Sequence, residues 1–267
     1  MPDSKDQPAQ PTYRAQEPQN PPAEHPSPAI YEISVENSRR LDELATTQYG
    51  IPSIVLMENA AIGLCDKAVE MLQGTRNQQI LIATGPGNNA GDGFALARHL
   101  SNRGHEPIVV MTTPAELIAG DAKINLNIIT KMNLMMIDAQ AYLAQSPSSS
   151  PGLIIDALFG TGLTRKITGI AGQLIDYINT CRQAGALVLA VDVPSGLNAQ
   201  TGKPVGESTN EPIITADQTV TFAALKEGCR AIEAQPYLGM VTVAPIGIPT
   251  MLLQSLATEI HQPRDRA

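Results

Sequence analysis

The sequence predicts an α/β fold with a mainly parallel sheet covered on both faces. Short apolar runs of strand length alternate with longer stretches of helical spacing over most of the chain. Several of these runs are apolar throughout, as strands buried on both faces are. The turns that follow three of them carry glycine, aspartate or serine, at residues 85–93, 156–162 and 192–196. Right-handed crossovers would bring those turns to one edge of the sheet.

Taken in order, residues 1–28 are rich in Pro, Gln, Glu and Ala and have no apolar period, so they read as a disordered tail. Residues 29–262 then form one large domain. Ser34 is placed to cap a helix with Leu41 and Leu44 on its apolar stripe, ended by Gly50. A second helix follows Pro52, with Leu56, Met57, Ala60, Ala61 and Leu64 on one side. Glu58 and Asn59 interrupt that apolar stretch and need partners. They read either as part of a packed helix cap or as a wall of a pocket.

Next comes the stretch that organises the chain, residues 79–99. A strand at 80–83 leads into the glycine turn 85–93, and a helix is expected from Phe94. Strands follow at 107–111 and 134–137, around a helical spacing at 117–131. After a polar loop at 146–152, a strand at 153–156 ends in Asp156 and meets Gly160 and Gly162. A helix at 172–184 and a strand at 187–191 lead to Asp192-Val193-Pro194-Ser195-Gly196. Two strands, at 218–222 and 240–244, complete the series.

A formal net charge of −8 argues against nucleic acid or an anionic membrane as the main partner. No apolar run approaches the roughly 18 residues of a membrane span, and the first residues lack the apolar segment of a signal peptide. Cys65, Cys181 and Cys229 lie far apart without metal-binding spacing, as expected of reduced thiols in a cytoplasmic protein.

The glycines at 85, 87 and 91 are spaced G-x-G-x-x-x-G, one residue longer than the dinucleotide fingerprint. The second strand ends in Met111-Thr112-Thr113, without the acid that would hold a ribose in a dehydrogenase. No G-K-[ST] follows, so the turn is not a P-loop. Asn89, Asp156 and Ser195 supply an amide oxygen, one carboxylate and one hydroxyl near the common edge. Such hard ligands of low total charge suit a monovalent cation better than Mg²⁺ or Zn²⁺; the alternative is that Asp156 and Asp192 only cap their turns. Pro194-Ser195-Gly196 is not a nucleophile elbow. Asp192 and Lys226 are the acid–base candidates, since each follows an apolar strand near the edge; Lys226 reads equally as a solvated turn lysine.

Four blocks in series, Leu56–Ala60, 85–93, 156–162 and 191–198, resemble the NAD(P)H-hydrate epimerases, the YjeF N-terminal domain family. The resemblance implies a Rossmann-like three-layer α/β/α sandwich, usually a homodimer. It implies an isomerase that interconverts the R and S forms of the hydrates NADHX and NADPHX, with a bound potassium ion (K+). Carried over by position, Asn88, Asn89, Ala90, Gly91 and Asp92 would contact phosphates and sugar. Gly160, Thr161, Gly162, Leu163, Thr164, Arg165 and Lys166 would form a second wall. Asp192 would reach the hydrated ring or its ribose, and Asn89, Asp156 and Ser195 would hold potassium. A separate S-specific dehydratase would then remove the water. The family usually has Gly where this chain has Ala90; if that position needed a positive φ, alanine would cost on the order of 1 kcal/mol. Two other readings remain open here: a binding or dimerisation scaffold with little activity, and an ordinary NAD-dependent oxidoreductase.

Overall fold

The computed structural model describes residues 29–145, 150–206 and 211–260. The expected tail at 1–28, most of the polar loop at 146–152 and the domain end at 261–262 lie outside the described residues. The chain enters along β1 (Ile30–Ile33), α1 (Val35–Thr47) and α2 (Ser53–Gln73). One half of the main sheet comes from β2 (Ile80–Thr84), α3 (Asn88–Asn102), β3 (Ile108–Met111), α4 (Gly120–Lys131), β4 (Met136–Asp138) and α5 (Ala139–Ala144). The other half comes from β5 (Leu153–Ala157), α6 (Gly169–Gln183), β6 (Leu187–Val191) and β7 (Gln218–Phe222). After β8 (Leu225–Lys226) and α7 (Gln235–Leu238), β9 (Met240–Ala244) takes the edge, and α8 (Thr250–Leu256) and β10 (Thr258–Ile260) follow.

The main sheet has the order β4-β3-β2-β5-β6-β7-β9, and every pair is parallel. Parallel strands bury both faces, and side chains alternate between them. Ile80 and Ile82 of β2 thus join the core under α2, α3 and α4, while Leu81 and Ala83 join the core under α5 and α6. The result is a Rossmann-like α/β/α sandwich. Strand order reverses direction between β2 and β5, the switch point where such sheets open a crevice at their carboxyl ends.

All seven strands of this sheet fall where the apolar runs predict them. Ser34 caps α1 through its Oγ, which accepts from Asn37 N at 3.1 Å. Gly50 adopts φ +69°, but the helix has already ended at Thr47.

Two features differ from expectation. A second sheet of three short strands, β10-β1-β8, joins the two ends of the described chain to the segment after β7. And the glycine run is largely helix: α3 begins at Asn88, so Gly91 and Gly93 lie within it. Glycine costs a helix interior about 1 kcal/mol relative to alanine, but here it sets how closely α3 can pack. A Cβ on Gly93 would stand 2.7 Å from the Ala157 Cβ and 3.2 Å from Thr84 Cγ2; one on Gly91 would stand 2.7 Å from Met57 Cε and 3.0 Å from the Ala122 Cα. The missing methyls let α3 settle against the sheet on one side and against α2 and α4 on the other.

Ala90 also lies in α3, fully buried and without positive φ, so the strain foreseen for alanine at this position is absent. Gly93→Ala should destabilise the fold by about 1–2 kcal/mol, overpacking outweighing the gain in helix propensity. Gly162→Ala, whose added methyl meets nothing within 4 Å, should change stability little. Urea midpoints of the two variants check the difference.

Candidate active site

A cleft of about 480 Å³ opens at the carboxyl edge of β2 and β5. Its walls come from the start of α3, the loop after β5 and the turn after β6. Asn88, Asn89 and Asp92 line it from α3; Gly160, Thr161, Gly162, Leu163, Thr164 and Arg165 line it from the β5 loop; Asp192 lines it from the end of β6. Ala90 and Gly91 face the core instead, and Lys166 lines a neighbouring groove, its Nζ 4.0 Å from Glu211. Gly87 precedes α3 without a capping side chain, so the helix N-terminus opens uncapped beside the cleft.

Asp156 and Ser195 meet directly beneath the cleft. The carboxylate accepts from Ser195 N at 2.7 Å and from Ser195 Oγ at 2.6 Å, and from Leu158 N at 3.3 Å. Ser195 Oγ also accepts from Phe159 N at 2.9 Å and lies 3.1 Å from Phe159 O. Both residues are fully buried. Burial pushes the Asp156 carboxyl up to about 6, against the hydrogen bonds from Ser195 and Leu158. The buried Nδ2 of Asn89 has no partner among the described residues, and a Cβ on Gly160 would stand 3.0 Å from Asn89 Oδ1 and 3.4 Å from Asp192 Oδ2.

Asp192 and Lys226 form a buried ion pair, Nζ to Oδ1 at 2.8 Å. Thr221 Oγ1 is 3.1 Å from the same Oδ1 and 3.1 Å from Lys226 Nζ. The ammonium also donates to Phe222 O at 2.9 Å, with Ala224 O at 3.4 Å. Lys226 is therefore no solvated turn lysine. Its three protons are occupied within the protein, whereas Asp192 Oδ2 is turned toward the Gly160 wall. Asp192 and Ala223 have φ of +67° and +61°, each bridged by a hydrogen bond between its two neighbours, Val193 N to Val191 O and Ala224 N to Phe222 O. These γ-turns are strained for non-glycine residues, as at many functional sites.

Two cleft residues carried no sequence signal, Arg39 and Asp42 on α1. They read there as ordinary surface positions of an amphipathic helix. Burial, with Asp192 adding to it and Lys226 opposing, pushes the Asp42 carboxyl up to about 6, although the residue keeps much of its surface exposed. Asp92 is held well above the carboxylate range, first by burial, then by Asp192 and Asp42, against Lys226. His99 and Glu58 stand apart from the cleft. Glu58 bonds to the Arg98 guanidinium and lies 2.9 Å from His99 Nε2, while Asn59 donates to Ile246 O at 2.9 Å. Both residues are thus braces between elements, neither cap nor pocket wall.

A carboxyl whose folded value is raised binds its proton more tightly in the native state, so stability falls as pH rises from the ordinary carboxylate range through about 6. Asp42→Asn should therefore stabilise the protein at pH 8, by at most about 1 kcal/mol given solvent screening, and change nothing at pH 4. Thermal melts at the two pH values check this.

A family model described as "YjeF-related protein N-terminus" matches residues 53–228. The NAD(P)H-hydrate epimerase of Pirellula staleyi is 36% identical over 227 residues, covering 82% of this chain and 93% of that protein. That of Oenococcus oeni is 35% identical over 219 residues, covering 81% and 96%. The bifunctional NAD(P)H-hydrate repair enzyme Nnr of Moorella thermoacetica is 39% identical over 229 residues; the match covers 84% of this chain but 42% of that protein. Among solved structures, yeast ynu0 (YNL200c) shares the fold, with TM-score 0.70 over 88% of this chain and 96% of that one, at 20% identity. On the family match and these relatives, the chain belongs to the YjeF-related N-terminal domain family.

Proposed function

We propose that this protein is an NAD(P)H-hydrate epimerase, an isomerase interconverting the R and S forms of NADHX and NADPHX. The observation that carries the reading is one cleft that joins an uncapped helix N-terminus with a buried, ion-paired carboxylate. The first suits a pyrophosphate, with Arg39 and Arg165 as cationic partners. The second suits proton transfer on an uncharged ring. The relatives named NAD(P)H-hydrate epimerase, matched over most of their length, support it.

The hydrate carries a hydroxyl on a ring carbon bonded to nitrogen. Its configuration is lost if the hydroxyl proton is removed as the C–N bond opens, or if a proton is given to the oxygen as it departs as water. Either route needs one group that takes and returns a proton. Asp192 Oδ2 is free for this, while Oδ1 is held by Lys226 and Thr221. Lys226 serves as a positioning residue, fixing the carboxylate and countering its charge.

A bound potassium ion belongs to the same proposal. Asn89, Asp156 and Ser195 would hold it through their side-chain oxygens. The donor set fits in kind: a carboxylate, a hydroxyl and an amide oxygen are all hard oxygen ligands of low total charge. When bound, the ion would neutralise the Asp156 carboxylate and lock the β5 loop against α3. A homodimer, a cytoplasmic location and coupling to a separate S-specific dehydratase complete the reading. Among the described residues, no helix is long and apolar enough to cross a membrane.

The test incubates mixed R and S NADHX with an S-specific dehydratase, with and without this protein. Accelerated consumption of the R form is expected; its persistence at the uncatalysed rate overturns the reading and leaves the scaffold alternative. Asp192→Asn should lower kcat by about 10²-fold or more while substrate still binds. For the ion, melting in KCl and NaCl of equal strength should show a higher Tm in potassium for the wild type and no difference for Asp156→Asn.

A further inference from the structure

Beside the cleft, and sharing Asn88, Asp92 and Asp192 with it, lies a smaller recess of about 170 Å³ between α1, α2 and the segments after β7 and β9. Leu56 and Met57 of α2, together with Ile246, supply apolar walls, and Ser38 and Ser53 supply hydroxyls. Asp92, Asp192 and Lys226 line it as well, and Asp92 and Asp192 also line the outer cleft. The acid–base pair therefore stands at the junction of the two spaces.

The two spaces differ in chemistry. The guanidinium groups of Arg39 and Arg165 line the outer cleft and not the recess. Asp42, Asp92 and Asp192 line both spaces, where the arginines of the outer cleft offset them; the recess lacks those arginines and adds Asp121 and the already paired Lys226. A phosphate entering it would meet acidic side chains and one cation already committed to an internal partner. A neutral, half-apolar ring with a carboxamide and a hydroxyl matches it better. Size agrees, since a cavity of roughly 150 Å³ accommodates benzene and this one adjoins the cleft.

Asp92 points the same way. It is nine-tenths buried, yet accepts no hydrogen bond from any described residue. Its oxygens are not sealed from solvent and line both spaces, so they are open to a donor that a ligand brings. The oxygens of a pyrophosphate offer a carboxyl no donor; a carboxamide N–H or a ring hydroxyl does.

We propose that this recess is the subsite for the hydrated nicotinamide ring, and that Asp92 hydrogen-bonds the ring there instead of contacting the phosphates. The proposal rests on the epimerase reading above and deepens it. The substrate then lies with its pyrophosphate at the start of α3 and Arg165, and its ring reaches into the recess past Asp192, which lines both spaces. The Leu-Met-Glu-Asn-Ala segment contributes the face of α2 against which the ring packs.

The test compares two ligands on the full chain by calorimetry: the NADPH hydrate, and ADP-ribose, which keeps the pyrophosphate and lacks the ring. Asp92→Ala removes the hydrogen bond, and Ser53→Phe fills the recess from an exposed helix start without disturbing the core. Each should weaken the hydrate about tenfold or more and leave ADP-ribose within twofold. Equal weakening of both ligands by Asp92→Ala would return Asp92 to the phosphate and sugar; unchanged hydrate affinity in both variants would empty the recess of its role. Either result overturns the proposal. If wild-type protein fails to consume the R form in the coupled assay, the epimerase reading falls instead, whatever the binding pattern.

Discussion

The buried pair of Lys226 and Asp192 is the constraint on which the site depends. An ammonium that is almost completely buried needs every proton engaged, and the chain arranges this with Thr221, two backbone carbonyls and one carboxylate oxygen. Removing one partner of such a pair typically costs about 3–5 kcal/mol, because the other charge is left uncompensated. The pair also joins the two sheets. Lys226 sits on β8, in register with Ile33 of β1, whereas Asp192 directly follows β6 of the main sheet. β1 in turn pairs with β10, so both ends of the described chain are fixed relative to the Asp192 carboxylate. α1, which brings Arg39 and Asp42 to the cleft, follows directly from β1.

Charge crowding is the consequence. Asp42, Asp92 and Asp192 surround a single ammonium, and burial raises Asp42 and Asp92. Burial is the larger cause of both shifts, and the neighbouring carboxylates add to it against Lys226. Local strain serves the same geometry. The γ-turn at Asp192 reverses the chain at once after the strand, placing its side chain over the sheet edge instead of continuing along β6. The turn at Ala223 aims the Phe222 and Ala224 carbonyls at one ammonium. Positive φ at such residues costs on the order of 1–3 kcal/mol each, and the hydrogen bonds and ion pair they make possible offset it.

Much of this was legible in the residues. Most strands of the main sheet are apolar runs bounded by turn residues, with β7 (Gln218–Phe222) the more polar exception, and parallel topology alone brings Asn89, Asp156, Asp192 and Ser195 to one edge. The three-stranded sheet was not legible, because strands of four, two and three residues carry too little periodicity and their pairing is remote in sequence. The helical state of residues 88–93 was hidden for a different reason. Glycine disfavours a helix locally, and only the approach of α3 to Ala157, Met57 and Ala122 explains why two glycines are placed there. Asp42 was hidden because a polar residue on an amphipathic helix looks the same whether it faces water or a cleft.

The Leu-Met-Glu-Asn-Ala segment shows how far a motif can be read before its surroundings are known. Its polar pair admitted two readings, cap or pocket wall, and helix geometry makes both incomplete. At 3.6 residues per turn, positions 56, 57 and 60 share one side of α2 while 58 and 59 fall away from it. The first set lines the inner recess. The second reaches outward, Glu58 to Arg98 and His99 on α3, and Asn59 to the Ile246 carbonyl beyond β9. One helical turn thus shapes the recess and holds α3, whose opposite end presents Asn89 and Asp92 to the cleft. A substitution at Glu58 would therefore act on the cleft only through the seating of α3, whereas one at Met57 would change the wall of the recess itself.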